Sequence, residues 1–112
     1  MFISKRCECV SRENSIPSEN FDLKNLSNNL NLLSVESRLE LLFLLKDKAY
    51  CVCDLMEHTK MSQSLISHHL SDLTKAGFMK SKREGKYIDY FLTKKGKKLL
   101  KTLVDFTDLS KN

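Results

Sequence analysis

The chain has 112 residues, 41% hydrophobic and 29% charged, with a formal net charge of +5 and four cysteines. That length holds one small domain with a modest core, and no apolar run is long enough to span a membrane. Met1-Phe2-Ile3 runs straight into Lys5 and Arg6 without a signal-peptide pattern, so a cytoplasmic, reducing compartment is expected, where paired cysteines serve metal or redox chemistry more than disulfide staples.

In chain order, residues 1–17 lack apolar periodicity and end at the only proline, Pro17; they are read as an arm carrying Cys7 and Cys9. A domain over 18–109 and a tail over 110–112 follow. Ser18 is positioned to cap a helix with Phe21, Leu23, Leu26, Leu30 and Leu33 at apolar positions. Ser34 is expected to be the N-cap of a second helix, with Glu36 in its first turn. Leu39, Leu41, Leu42, Phe43 and Leu45 make that helix apolar nearly all round, the mark of a buried centre.

Lys46-Asp47-Lys48 closes it, and the stretch CVCDL leads into a short helix ending near His58. After a compact turn, Ser62 caps a helix over SQSLISHHLSDLTKAG. Leu65, Ile66, His69, Leu70, Leu73 and Ala76 are assigned to one face, and Gly77 is the stop. Residues 78–83 and 86–92 then alternate around a Glu84-Gly85 turn, the pattern of a hairpin. Thr93 caps a last helix with Leu99, Leu100, Leu103, Val104 and Phe106 as its stripe. The order of pieces predicts a mainly α fold with a β-hairpin wing, a winged helix-turn-helix.

Charge is unevenly placed along this order. Residues 1–58 hold seven Lys/Arg against nine Asp/Glu, whereas residues 75–101 hold nine Lys and Arg83 against Glu84 and Asp89, a net of +8. Such a block is the footprint that nucleic-acid phosphates attract; a lysine-rich solvated surface is the plainer alternative. No Ser/His/Asp set, P-loop or nucleotide fingerprint occurs, so an enzyme is not expected.

Arg38 with its leucines, CVCDL, SQSLISHHLSDLTKAGF and REGKYIDYFL together resemble the ArsR/SmtB family of metal-responsive repressors, in the family's order and over residues 33–92. The chain departs from it at 34–37, Ser-Val-Glu-Ser, where the family often has a proline-containing turn. The resemblance implies a homodimer built from the first and last helices that represses by binding operator double-stranded DNA. The leucines at 23–33 and 99–109 are consistent with that, some of them alternatively packing within one chain.

In such a fold the recognition helix puts its N-terminal residues at base edges. Opposite the leucines, the helix from Ser62 presents Gln63, Ser64, Ser67 and His68. Gln63 suits adenine, and the serines suit bases or phosphates. His69 shares the apolar face and is read as a satisfied, half-buried residue. Lys82, Arg83, Lys86 and Tyr87 at the wing tip suit phosphates or the minor groove; a charged tip that resists edge pairing is the bland reading.

The four cysteines form two CxC pairs, Cys7 with Cys9 and Cys51 with Cys53. Residues two apart share a side only in extended chain, so Cys51 should precede its helix and Cys53 lie in the first turn, where the helix dipole favours thiolate. Together the pairs offer up to four thiolates to a soft ion such as Cd(II), Pb(II), Zn(II), As(III) or Cu(I). In the family the CVC element is the inducer site. Arsenite sensors commonly add a cysteine where this chain has Met56, whereas cadmium/lead sensors draw cysteines from an N-terminal arm, as Cys7 and Cys9 would provide. A Cd/Pb-type site is therefore expected, with arsenite second. All three histidines precede residue 70, so the family's last-helix His site should be absent. Burial as small hydrophobes is the plain reading of lone cysteines. A thiol redox regulator of the same fold and, from another class, a cysteine-based metal buffer or thiol-exchange protein are the alternatives.

Overall fold

A computed structural model describes residues 22–110. Cys7, Cys9, Ser18 and Phe21 lie outside the described residues. The elements are α1 (Leu23–Leu33), α2 (Glu36–Leu44), β1 (Tyr50–Cys51), α3 (Val52–His58), α4 (Gln63–Lys75), β2 (Met79–Glu84), β3 (Tyr87–Leu92) and α5 (Lys94–Ser110). This is a winged helix-turn-helix, as the order of pieces predicts: α3 and α4 form the helix-turn-helix and β2–β3 the wing. Among the described residues, no helix is long and apolar enough to cross a membrane.

Two helix starts differ from expectation. The α1 helix begins after Asp22, whose carboxylate accepts from the Asn25 amide at 3.1 Å. Ser34 does not open α2. Its amide and hydroxyl both donate backwards to the Asn31 carbonyl, at 3.3 and 2.9 Å, making it the C-cap of α1. The N-cap of α2 is Val35, which has no side-chain oxygen to offer, although Glu36 still places a negative charge in the first turn.

The core gathers around α2, as its all-round apolar character predicts. Leu41, Leu42 and Leu45 are buried against Leu55 of α3 and Ile66, Leu70 and Leu73 of α4, with Met79, Leu92 and Leu100 closing the far side. Phe43 is the exception, 40% exposed.

The turn from α4 into the wing is set by local chemistry. Gly77 has φ +88, its amide donates to the Thr74 carbonyl, and the Phe78 amide donates to the Leu73 carbonyl. This pair of bonds satisfies the last carbonyls of the helix and needs a left-handed residue, hence glycine. The wing then folds back over a two-residue loop, Gly85-Lys86, with φ +64 at the glycine. Thr93 caps α5 by accepting from the Gly96 amide at 3.0 Å, while its own hydroxyl donates to the Gly77 carbonyl at 2.7 Å. One threonine thus joins the start of α5 to the end of α4.

The sheet holds one strand that periodicity does not anticipate. β1 has two residues and lies on the outer side of β3, giving the antiparallel order β1-β3-β2 with Tyr50 opposite Tyr90 and Cys51 opposite Asp89. The chain just before α3 is thereby hydrogen-bonded to the wing. Elsewhere, α1 buries only Leu33, and Leu26 and Leu30 line an apolar groove of about 500 Å³ with Leu99, Leu103 and Phe106 of α5.

Candidate nucleic-acid interface and thiol site

Helix α4 starts where expected. The Ser62 hydroxyl accepts from the Leu65 amide at 3.2 Å, satisfying one of the free amides of the first turn. Ser62, Gln63, Ser64, Ser67 and His68 line one open recess on the surface. All five are exposed, so the residues selected from sequence as base-reading candidates do share a face. Leu65 is corrected: it is 39% exposed and does not belong to the apolar face, which consists of Ile66, His69, Leu70 and Leu73. Its position, one residue before Ile66, turns it about 100° away from Ile66, to the edge of the buried stripe.

His69 is buried and fully engaged, as its place on the apolar face predicts. Its Nδ1 accepts from Nε of Arg38 at 3.1 Å, so its proton is on Nε2, which lies 2.7 Å from the Ser37 hydroxyl. This neutral ring resists protonation: burial, then the Arg38 charge and His68, hold its pKa below the usual histidine value, against a smaller upward pull from Asp72. The stability that follows is complete above the unfolded histidine value, about 6.5, and is lost as pH falls through it towards the lower folded value. Thermal unfolding followed between mildly alkaline and mildly acidic pH should therefore show a falling midpoint, and His69→Gln should flatten that part of the profile. An equal slope in the variant would assign the acid sensitivity elsewhere.

At the wing, Lys82, Arg83, Lys86 and Tyr87 are all exposed. Lys82 is 3.3 Å from Glu84, two residues along the same strand, which neutralises part of its charge. Arg83 points to the opposite side of the strand by the two-residue alternation, and neither it nor Lys86 has an acidic partner among the described residues.

The thiols sit as the spacing predicts. Cys51 is the extended N-cap of α3, with φ −88 and ψ 170, and Cys53 is in the first turn and exposed. Sulfur replaces the usual oxygen in a capping box: the Cys51 side chain faces the Asp54 amide, and Asp54 Oδ2 accepts from the Cys51 amide at 3.3 Å. The Cys51 thiol, just ahead of the helix, resists ionisation. The Asp54 amide does favour it, but partial burial and the Asp54 carboxylate outweigh that donor and push the thiol up. Among the described residues no three His, Cys, Asp or Glu side chains converge as a metal-binding group. His58 is exposed and turned to its own helix, with Nδ1 2.8 Å from the Asp54 carbonyl and its ring 5.2 Å from that of Tyr50. Two residues that base-reading logic does not select complete the region, Arg38 and Asp72, bonded to each other at 2.6 Å. Asp72 lies one helical turn after His68, the only local signal that points to it.

The sequence profile of the bacterial regulatory proteins of the arsR family matches residues 36–81. An arsenical resistance operon repressor of Staphylococcus aureus is 42% identical over 62 residues, covering 55% of this chain and 60% of that protein. The cadmium resistance transcriptional regulatory protein CadC of Listeria innocua serovar 6a is 36% identical over 74 residues, covering 65% of this chain and 62% of that protein. The chain thus spans about three fifths of the length of these curated relatives. A crystal structure described as a possible transcriptional regulator for arsenical resistance superposes with a TM-score of 0.59 at 32% identity, covering 70% of this chain and 81% of the other.

Proposed function

The chain belongs to the arsR family of bacterial regulatory proteins, and from that membership and the geometry we propose that it is a homodimeric transcriptional repressor that leaves its operator when a thiophilic metal ion binds. Gln63, Ser64, Ser67 and His68, with Ser62 at their head, read the major groove, and Lys82, Arg83, Lys86 and Tyr87 hold the flanking backbone. The dimer is built on α1 and α5, whose facing leucines line the apolar groove described above.

One observation carries the regulatory half. Cys51 is at once the cap of the first helix of the helix-turn-helix and the strand partner of Asp89 in the wing. An ion held at Cys51 and Cys53 therefore pulls on a backbone junction shared by both DNA-contacting units. The donor set suits such an ion: two sulfurs on residues two apart, one of them exposed, with Cys7 and/or Cys9 of the arm as the remaining ligands. Cd(II) or Pb(II) suits a sulfur-rich set of this size, with arsenite second and Zn(II) accepted. Binding requires loss of the thiol protons, so uptake strengthens as pH rises. The relatives' names, an arsenical resistance repressor and a cadmium resistance regulator, support the same inducer chemistry.

The test is a titration of the full reduced chain on a duplex selected from a random pool. Cd(II) should release the duplex with reductant present, with ultraviolet bands of metal–thiolate charge transfer and a sulfur-dominated shell in X-ray absorption. A nitrogen/oxygen shell would refute the site, and release that needs oxidant in place of metal would favour the redox regulator.

A further inference from the structure

Arg38 lies on α2, away from the exposed face of α4, and its side chain is only 15% exposed. Its guanidinium has three acceptors in three places. Nη1 donates to the Leu32 carbonyl near the end of α1 at 3.2 Å, Nε to His69 at 3.1 Å, and Nη2 to Asp72 Oδ2 at 2.6 Å. That same Oδ2 lies 3.3 Å from Nε2 of His68, a side chain 65% exposed in the recess of base-reading candidates. A rigid planar fork anchored at three points can hold a carboxylate still, and the carboxylate can hold a ring.

We propose that Arg38 and Asp72 are a positioning pair that orients His68 and sets which base it prefers; this rests on the reading of α4 as the DNA-reading helix. Asp72 is an acceptor, so the His68 nitrogen facing it, Nε2, carries the proton. Nδ1 is then the ring atom left for an outside partner. On a neutral ring it accepts a hydrogen bond, and in the major groove the donors it can meet are the amino groups of adenine and cytosine. Without Asp72 the ring is free to rotate and to change tautomer, so that it meets donor and acceptor bases alike. Arg38 thus contributes to sequence preference without touching DNA, and its third bond makes the end of α1 part of the same rigid unit.

The experiment uses the full reduced chain and a random-sequence duplex pool, with sequencing of the bound fraction, for wild type, His68→Ala, Asp72→Ala, Asp72→Asn and the His68→Ala/Asp72→Ala double variant. Wild type should prefer adenine or cytosine at one position per half-site. His68→Ala and Asp72→Ala should each lower the preference there about tenfold, and the double variant should lose no more than His68→Ala alone. Asp72→Asn keeps an acceptor oxygen for both partners and should retain the preference. Nitrogen NMR of the wild-type ring at mildly alkaline pH should show the Nε2–H form of His68, a readout that needs no variant to fold. The proposal is overturned by Nδ1–H as the main form, by an unchanged preference in Asp72→Ala, or by a loss spread evenly over all positions. A wild type that selects no sequence overturns the reading of α4 itself and the pair with it.

Discussion

Raising the salt concentration from about 50 to about 200 mM is expected to weaken duplex binding by roughly 10³–10⁴-fold. Each wing exposes Lys80, Lys82, Arg83 and Lys86, so a dimer brings about eight cations to the phosphates, and pairs of Lys82 with Glu84 discount that to about six. Each phosphate contact releases counterions and adds about 0.9 to the slope of log affinity against log salt. Arg83 has no acidic partner among the described residues, so Arg83→Ala in both protomers should lower the slope by nearly 2 and weaken all sequences about equally. Gln63→Ala acts in the other way, costing about 1–3 kcal/mol at one operator position and leaving the slope unchanged. Fluorescence anisotropy over a salt series, on a selected and a scrambled duplex, separates the two. A flat salt dependence, or Arg83→Ala changing sequence preference where Gln63→Ala does not, would remove the wing and α4 from their assigned places.

Cys51→Ser or Cys53→Ser should abolish metal-driven release altogether while leaving duplex binding intact. To move the dimer from about 1:99 to 99:1 in favour of the released state, the ion must bind that state about 10⁴-fold more tightly. Such a difference needs ligands tied to the units proposed to contact DNA, and Cys51 both caps α3 and pairs with Asp89 of β3. The substitution is structurally mild because serine is itself a preferred N-cap, so a lost response reports the thiol and not a lost helix. Cys7 and Cys9 should behave differently. Their replacement by serine should weaken metal affinity or alter metal choice without ending regulation, since the pair at Cys51 and Cys53 remains. Duplex release against buffered free Cd(II), with reductant throughout, gives the comparison. A full response in Cys51→Ser would sink the assignment.

The range of the forces involved decides how much of the fold and the site is legible in the sequence. Helix α4 can be read from Ser62 to Gly77 because its cap bonds three residues on, at Leu65, and its stop closes within the last turn, distances that a sequence displays directly. The separation of His68 from His69 is equally legible, because the helical period places neighbours on different faces. Where local choices compete over one or two residues, sequence does not decide. Ser34 could open α2 or close α1, and only the fold, which directs its hydroxyl back to Asn31, settles the matter. The upward push on the Cys51 thiol is only half legible: Asp54 stands three residues on in the sequence, but the partial burial that acts with it does not.

The long-range contacts belong to the tertiary structure alone. β1 has two residues and no pattern of its own; it exists because β3, about forty residues on, offers it hydrogen bonds. Arg38 and Asp72 are 34 residues apart and carry no mutual signature. Sequence by itself determined the helices, the wing, the basic block and the paired thiols, because each is written in residues that are neighbours along the chain. What joins the thiols to the wing, and the end of α1 to His68, was decided only when folding brought distant hydrogen-bonding groups to about 3 Å of one another, a proximity no local pattern encodes.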